Sequence, residues 1–238
     1  MRLLDLTLET PEENLALDEA LLVAAEEGAG GEVLRLWEPA GTMVVVGSSS
    51  RVEKEVQLAA CQKDRIPVLR RSSGGAAIVT GPGCLMYAVV LDLRLRPDLR
   101  AIDRAHRHVL NLIAGALGSL VPNVARRGTS DLAIADRKFS GNSLRVKRDH
   151  LLYHGTLLYD FALSQIAAYL ATPPRQPEYR AGREHADFVT NLPLSSTAIR
   201  DVLIHAFDAV DLVGDWPQEL TKQLAADKFA NPAWTHRF

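Results

Sequence analysis

The sequence predicts an α+β fold, in which a mixed, largely antiparallel β-sheet is flanked by helices. Apolar strand segments and amphipathic helical segments interleave along 238 residues without the strict alternation that a doubly wound parallel sheet requires. The polar pair Asp136-Arg137 separates two segments of strand character, which indicates a hairpin and therefore an antiparallel pair. Because 47% of the residues are apolar and can bury one sizeable core, we expect residues 1–238 to form a single domain.

The first predicted helix carries the clearest signals. Thr10 offers an N-cap hydroxyl, Pro11 suits the first helical position, and Glu13 completes a capping box. Glycines at positions 28, 30 and 31 end this helix. Apolar residues at helical spacing predict a second long helix at 98–117. Further helices are predicted at residues 52–63, 164–170, 195–210 and 217–229.

Short segments that are apolar throughout, or that alternate apolar and polar residues, predict the strands. The segment at 42–46 is an apolar run of the kind that is buried on both faces, whereas the one at 3–8 alternates as a half-buried or edge strand does. A proline-rich run at 172–191 is predicted to be irregular. The predicted strands cover residues 3–8, 33–37, 42–46, 66–69, 77–79, 85–91, 131–135, 138–141 and 151–159.

Composition and net charge argue against several classes of partner and of site. A net charge of −2 at pH 7 gives no electrostatic reason to expect nucleic acid or an anionic membrane as the main partner. The two cysteines, Cys61 and Cys84, lack paired spacing, which argues against a disulfide framework and against a thiolate metal site. Both are expected to pack as small buried hydrophobes, and no metal ligands are predicted. Since neither a leader pattern nor a long apolar stretch is evident, we expect a soluble cytoplasmic protein.

A glycine-rich loop between two predicted strands is the strongest candidate for a binding site. Its glycines let backbone N–H groups turn toward a ligand that a Cβ would block, and its arginines carry planar donors suited to phosphate or carboxylate. The alternative is an ordinary Ser/Gly turn with arginines in solvent. The loop consists of Arg70, Arg71, Ser72, Ser73, Gly74, Gly75, Ala76 and Ala77.

Two further strand segments bring polar groups to places where a backbone can approach closely. One begins beside the hairpin turn with Lys138 and continues through Ser140 and Gly141; the other is His154-Gly155-Thr156. A lysine among backbone donors, without an evident carboxylate pair or Ser-His dyad, suits a reaction that needs charge stabilisation rather than a protein nucleophile. Attack of a carboxylate on a nucleotide phosphate, followed by attack of an amine on the mixed anhydride, is such a reaction.

Four motifs occur in an order and spacing that resemble the lipoate-protein ligase A family. They are residues 14–21 (NLALDEAL), 70–77 (RRSSGGAA), Asp131-Leu132 with 137–143 (RKFSGNS), and 154–158 (HGTLL). The resemblance implies the biotin/lipoate-protein ligase catalytic-domain fold, with the acyl chain in an apolar tunnel and an acyl-adenylate over the glycine-rich loop. It also implies that Lys138 contacts the acyl carboxyl and phosphate, and that Arg71, Gly74, Gly75 and His154 line the pocket.

The same resemblance implies an activity. ATP, with Mg²⁺, and lipoate or octanoate would give an acyl-adenylate, and a lysine of a lipoyl domain would then accept the acyl group. The acceptors implied are the lipoyl domains of 2-oxoacid dehydrogenases or the glycine cleavage H protein. The sequence is also compatible with two alternative functions. One is an octanoyl-acyl carrier protein:protein octanoyltransferase with a cysteine nucleophile, and the other is a homologue that binds a lipoyl group without turnover.

The chain departs from the family pattern at three positions, all of which bear on adenylation. Ala76 stands where a third glycine is usual, Thr80 where a histidine is usual, and Ser130 where an asparagine helps to hold phosphate and magnesium. After residue 191 only two helices and a short tail are predicted, so we expect no C-terminal accessory domain. These features predict that adenylation needs a small accessory protein.

Overall fold

The computed structural model describes residues 1–172 and 176–238, and within them it has the predicted α+β architecture. The strands are β1 (Arg2–Asp5), β2 (Val33–Trp37), β3 (Met43–Val46), β4 (Val68–Arg70), β5 (Ile78–Thr80), β6 (Cys84–Asp92), β7 (Val124–Arg127), β8 (Asp131–Ile134), β9 (Arg137–Val146), β10 (His150–Leu158) and β11 (Asp211–Leu212). The helices are α1 (Pro11–Glu26), α2 (Val52–Glu55), α3 (Leu58–Asp64), α4 (Ile102–Gly118), α5 (Ser164–Tyr169), α6 (His185–Phe188), α7 (Ser196–Ala206), α8 (Gln218–Leu224) and α9 (Pro232–Thr235).

Two sheets organise the described residues. The larger has eight strands in the order β11-β1-β2-β6-β10-β9-β8-β7, and the smaller has the order β4-β3-β5. Strand β1 is parallel to both of its neighbours and β3 is parallel to β4, whereas the other pairs are antiparallel. The prediction of a mixed, largely antiparallel sheet is therefore confirmed, and the glycine-rich loop does join two strands, β4 and β5.

Strand β6 divides the hydrophobic core. Its side chains point alternately to the two faces of the large sheet. Leu85 and Val89 belong to a core cluster that includes α4 and α7, whereas Cys84 and Met86 belong to a second cluster with the small sheet and α1. Burial of these apolar side chains holds the small sheet against the large one, and the cavity described below opens into the second cluster.

Helix α1 begins as the sequence predicts. The Thr10 hydroxyl accepts a hydrogen bond from the Glu13 N–H at 3.2 Å, and the Thr10 N–H donates to the Glu13 carboxylate at 3.2 Å. The helix is buried along most of its length, against the large sheet on one side and α8 on the other. This position carries Leu15 and Asp18 to the cavity.

Three predicted elements differ from the structure. The helix predicted at 52–63 is two helices, because the chain extends at Val56, which bridges to Leu170. The hairpin turn is Ala135-Asp136 instead of Asp136-Arg137; Ala135 has φ 51° and Arg137 already pairs with Ile134. The helix predicted at 217–229 ends at Leu224 and continues as a π-helical turn, Ala225–Phe229.

Other segments were missed or only partly predicted. Strand β7 has a polar, half-exposed sequence and β11 has two residues, so neither has the apolar pattern by which strands are recognised. The predicted irregular run contains a 3₁₀ turn, Glu178–Arg180, and helix α6, while residues 173–175 lie outside the described residues. Within the described parts of the chain, no helix has both the length and the apolar character needed to cross a membrane.

Candidate active site

A cavity of about 400 Å³ lies where the glycine-rich loop, α1 and both sheets meet. The structure brings together all three predicted segments there. Predicted site residues that line the cavity are Arg71, Gly75, Ala76, Ala77, Asp131, Lys138, Gly141, His154, Gly155 and Thr156. Predicted site residues that are not among its lining residues are Arg70, Ser72, Ser73, Gly74 and Ser140. Lining residues that were not predicted as site residues are Leu15, Asp18, Val45, Ile78, Met86, Thr129, Ser130, Asn142, Ser143, Gln176 and Pro177.

Lys138 is held at the cavity by a buried carboxylate. Its ammonium Nζ lies 2.7 Å from Asp131 Oδ1, and the hydroxyl of Tyr179 donates to Asp131 Oδ2 at 2.8 Å. The Lys138 side chain is 30% exposed, whereas that of Asp131 is 8% exposed. Burial, and then the neighbouring Asp131 carboxylate, raise the pKa of Tyr179, so this phenol stays protonated and can donate. The pair therefore presents a fixed cation to the cavity.

Arg71 lines the cavity, but its guanidinium is bound mainly by the loop itself, which the sequence did not predict. Its nitrogens donate to the carbonyls of Val45 at 3.1 Å, Gly74 at 2.5 Å and Ala76 at 3.0 Å, all within or beside the loop. Gly75 follows with φ 87°, and a Cβ there would lie 2.9 Å from Arg71 Nη2. The arginine thus braces the loop from within, and a glycine is required where the brace passes.

The same brace orients the loop amides. Because the C=O and N–H of a peptide point in opposite directions, the Gly74 carbonyl that turns toward Arg71 directs the Gly75 N–H away from the guanidinium. Among the described residues, the N–H groups of residues 72–76 have no protein acceptor. Backbone N–H groups of this kind form anion-binding sites. The loop therefore has the donors expected of it, but they are amides and not arginines.

Arg70 lies outside the cavity, and its assignment to the site is corrected. Its fully buried guanidinium donates to the carbonyls of Gly47 at 2.6 Å, Ser50 at 2.8 Å and Thr235 at 2.6 Å. The indole of Trp234 donates in return to the Arg70 carbonyl at 2.8 Å. Arg70 therefore fastens α9 to the small sheet, and its buried guanidinium lies away from the residues that line the cavity.

His154 belongs to a chain of hydrogen bonds that the sequence did not predict. Its Nε2 lies 2.5 Å from Ser73 Oγ and its Nδ1 lies 3.2 Å from Asp18 Oδ2. Asp18 Oδ1 accepts from the buried guanidinium of Arg35 at 2.6 Å. Since Arg71 Nε donates to Ser73 Oγ at 3.1 Å, the serine proton is free to point to His154 Nε2, and Nδ1–H then donates to Asp18.

This Ser-His-Asp connectivity is that of a nucleophilic triad, but Ser73 is not placed as a nucleophile. The serine is 1% exposed and is not among the residues that line the cavity. A nucleophile must reach the acyl carbonyl. We therefore assign to Ser73 and Asp18 the positioning of the His154 ring, which does line the cavity.

Gly155 confirms that a glycine within a strand marks a close approach. A Cβ there would collide with the side-chain oxygen of Asn142 on the neighbouring strand β9. That oxygen accepts from the Tyr87 hydroxyl at 2.6 Å, and the Asn142 amide donates to the Ser130 carbonyl at 2.8 Å. The glycine thus lets Asn142 tie the lysine-bearing hairpin to the centre of the sheet.

The residues that line the cavity do not fit a protein-held magnesium site. Mg²⁺ is commonly bound through one or two carboxylates together with substrate phosphates. The two carboxylates at the cavity, Asp18 and Asp131, have their oxygens committed to neighbouring side chains. Within the described residues no group of three or more His, Cys, Asp or Glu side chains is arranged to hold a metal.

Neither cysteine is placed to act as a nucleophile. Cys84 is fully buried and is not among the cavity-lining residues, and burial raises the pKa of its thiol to about 12. Cys61 is buried within α3, which also raises its thiol pKa. At neutral pH both thiols are therefore protonated and inert.

We expect Cys61→Ser and Cys84→Ser to keep, per folded molecule, the acyl transfer that the family resemblance implies, because neither buried thiol forms a thiolate at neutral pH. Cys84→Ser buries a hydroxyl in an apolar cluster, and we expect it to unfold at a lower temperature. Turnover normalised to folded protein, beside a thermal unfolding curve, measures both effects. Loss of transfer in Cys84→Ser with an intact fold, together with a trapped thioester in the native protein, would instead assign the nucleophile to Cys84.

Comparison with known proteins matches this chain to a family of lipoyl protein ligases. The family model described as the lipoyl protein ligase A/B catalytic domain matches residues 10–208. A probable lipoate-protein ligase A of Mycoplasma pneumoniae is 32% identical over 157 residues, which are 66% of this chain and 45% of that protein. The chain thus spans about half the length of this relative.

Solved structures show the same fold. One, from a bi-partite lipoate-protein ligase and its E2 lipoyl domain of Thermoplasma acidophilum, matches with a TM-score of 0.82 at 23% identity, over 99% of this chain and 95% of that one. Another, lipoate-protein ligase A bound with ATP, matches with a TM-score of 0.79 at 23% identity, over 99% of this chain and 98% of that one. By its sequence over residues 10–208, the chain belongs to the lipoyl protein ligase A/B catalytic domain family.

Proposed function

We propose that this protein attaches lipoate or octanoate, through an acyl-adenylate, to a lysine of a lipoyl domain. One observation carries the proposal: a single cavity combines an apolar wall, a fixed lysine and, at Gly75 and Ala76, backbone N–H groups that have no acceptor among the described residues. An acyl-adenylate has the matching parts, namely a hydrocarbon chain, a reactive carbonyl and a phosphate. The apolar wall of the cavity includes Leu15, Val45, Ile78 and Met86.

The proposed chemistry has two steps with separate demands. In the first, a carboxylate oxygen attacks the α-phosphorus of ATP and pyrophosphate leaves. In the second, the neutral amine of the acceptor lysine attacks the acyl carbonyl, the carbonyl–phosphate bond breaks, and AMP leaves. Negative charge builds up on phosphate or carbonyl oxygens in both steps. A fixed cation and preorganised N–H groups in a partly dry cavity stabilise such charge.

Each group of residues then has a defined task. The apolar wall binds the hydrocarbon chain, and the backbone N–H groups of Gly75 and Ala76, which line the cavity, bind the phosphate. Lys138, oriented by Asp131, contacts the acyl carboxyl and the phosphate. His154, oriented by Asp18 and Ser73, borders the same space with both ring nitrogens engaged by protein groups.

Similar proteins lead us to include ATP, a lipoyl domain and an accessory protein in the proposed function. A structurally similar ligase is bound with ATP, and the similar Thermoplasma acidophilum ligase is bi-partite and belongs to a lipoylation system together with its E2 lipoyl domain. We propose a lipoyl domain as acceptor, and a small accessory protein for adenylation. Support for the second part comes from Ala76 and Ser130, since both departures from the family pattern line the cavity.

Incubation with a lipoyl domain and one acyl source at a time separates this function from its two alternatives. The sources are ATP with free lipoate, synthetic lipoyl-adenylate, and octanoyl-acyl carrier protein, and the product is measured as acylated lysine by mass spectrometry. We expect product from lipoyl-adenylate. Product from octanoyl-acyl carrier protein alone would identify an octanoyltransferase, and tight lipoyl binding without product from any source would identify a non-catalytic binder.

A further inference from the structure

The wall of the cavity at Met86 is backed by a small buried cluster that takes no part in the proposed chemistry. The Thr80 hydroxyl donates to Met86 Sδ at 3.2 Å, and Cys84 Sγ lies 4.0 Å from the same sulfur. Thr80 and Cys84 are fully buried and are not among the cavity-lining residues, whereas Met86 is. The Met86 side chain is therefore the partition between the cavity and these two residues.

Strand geometry explains this arrangement. Cys84 and Met86 are two residues apart on β6, so they share the face of the large sheet that meets the small sheet. Thr80 comes to the same place from β5, at the edge of the small sheet. Leu15 and Val45, which form other parts of the cavity wall, belong to the same hydrophobic cluster as Met86. Met86 thus forms part of the apolar wall of the cavity, together with Leu15 and Val45.

The unbranched side chain of methionine can adopt several conformations, so a methionine alone would not define a fixed cavity wall. Here the Thr80 hydroxyl and the Cys84 thiol approach the thioether from behind and restrict where it can lie. The hydroxyl at position 80 also finds its acceptor in this sulfur, so that the buried polar group is satisfied. The cluster therefore holds a flexible side chain in one position.

We propose that Met86 is a specificity-determining residue that limits the length of the acyl chain, and that Thr80 and Cys84 hold it in place. This inference rests on the proposed function and names the substrate class, a medium-chain acyl group of about the length of octanoate. A shorter side chain at position 86 opens the wall toward Thr80 and Cys84. The added depth then accepts one or more additional methylene pairs.

The test is a graded series at position 86, Met86→Leu, Met86→Val and Met86→Ala. For each protein, kcat/KM is measured with octanoyl-, decanoyl- and dodecanoyl-adenylate and a lipoyl domain. We expect the decanoyl-to-octanoyl ratio to rise at least about tenfold in Met86→Ala, to rise less in Met86→Val, and to change little in Met86→Leu, which keeps the volume. If the alanine variant does not fold, the valine variant still reports the direction.

Val89→Ala is the matched control. Val89 lies on the same strand but faces the opposite core cluster, so its truncation makes a cavity of similar kind away from the site. We expect this variant to lose stability without any change in the chain-length ratio. A ratio that rises equally in Val89→Ala would attribute the effect to general loosening of the sheet and would overturn the role of Met86.

Alkylation of the buried thiol supplies a readout that does not depend on turnover. In the native protein, Cys84 is shielded and its thiol pKa is raised by burial to about 12, so iodoacetamide should not label it. In Met86→Ala, water and reagent reach the thiol, and peptide mass spectrometry should detect labelling at Cys84. Cys61, which is buried in α3, is the internal control and should stay unlabelled in both proteins.

The outcomes separate the two proposals. Absence of acyl transfer by the native protein with every adenylate overturns the proposed function. Transfer by the native protein with an unchanged chain-length ratio in Met86→Ala, or with Cys84 still unlabelled in that variant, overturns the role of Met86 alone.

Discussion

Lys138→Ala should lower kcat for transfer from lipoyl-adenylate by about 100-fold to 1,000-fold, the effect expected when a preorganised group at a developing charge is removed. Lys138 and Arg71 are the lysine and arginine among the described residues that line this cavity; Arg71 donates to loop carbonyls, whereas the Lys138 ammonium is held at the cavity by Asp131. Lys147→Ala, a substitution in the turn between β9 and β10, is the control and should be neutral. Near-normal turnover by Lys138→Ala would mean that the cation does not act on the reacting groups.

A loss of activity must be distinguished from a loss of fold, because Lys138→Ala leaves the buried Asp131 carboxylate without its partner. Breaking a buried ion pair in this way costs about 3–5 kcal/mol of unfolding free energy. The double variant Lys138→Met with Asp131→Asn removes both charges and keeps the side-chain volumes. We expect it to recover stability relative to Lys138→Ala while remaining inactive. Recovered activity in the double variant would contradict a catalytic role for the lysine.

Arg71→Lys should both destabilise the protein and weaken its affinity for an adenylate, although it keeps the charge. A lysine cannot reproduce the fork that donates to the carbonyls of Val45, Gly74 and Ala76. The hydrogen bond to the Val45 carbonyl is buried, and a buried carbonyl left without a donor costs about 1–3 kcal/mol. The loop then loses the shape that aims its amides at the phosphate, and we expect the dissociation constant of a non-hydrolysable lipoyl-adenylate analogue to rise at least about tenfold.

Denaturant unfolding and titration calorimetry on the same samples measure these two effects. Arg148→Ala, at an 81% exposed side chain, is the control and should change neither quantity. If Arg71→Lys kept its native stability and lost only affinity, the guanidinium would be acting on the ligand directly. Unchanged stability and unchanged affinity would show that Arg71 is not needed to shape the loop.

The sequence predicted those parts of the site that depend on local signals. The glycine-rich loop, the lysine beside the hairpin and the glycine within β10 each have a residue type that backbone geometry requires, and the structure brings all three to one cavity. Arg70 and Arg71 show the limit of such signals. They are adjacent where β4 ends, and adjacent residues in an extended segment point to opposite sides. Composition cannot tell which arginine faces the cavity or that both end on carbonyls.

The missed residues depend on contacts between distant segments. Asp18 and Ser73 hold His154 from positions 136 and 81 residues away in the chain. Tyr179 reaches Asp131 across 48 residues, from a run that was predicted to be irregular. One signal was available for Asp18: a carboxylate among the apolar residues in the buried middle of a helix needs a partner. The identity of that partner, Arg35 with His154, required the fold.

Binding of an acyl-adenylate in this cavity, with transfer of its acyl group to a lysine, is tested most directly with the purified protein, synthetic lipoyl-adenylate and a lipoyl domain. The rate of lysine acylation is compared with the rate from ATP and free lipoate. We predict rapid acylation from the adenylate, abolished by Lys138→Ala, and much slower acylation from ATP and lipoate without an added partner. Equal rates from both sources would contradict the need for a partner, and no acylation from lipoyl-adenylate above the uncatalysed rate would contradict acyl transfer from an adenylate in this cavity.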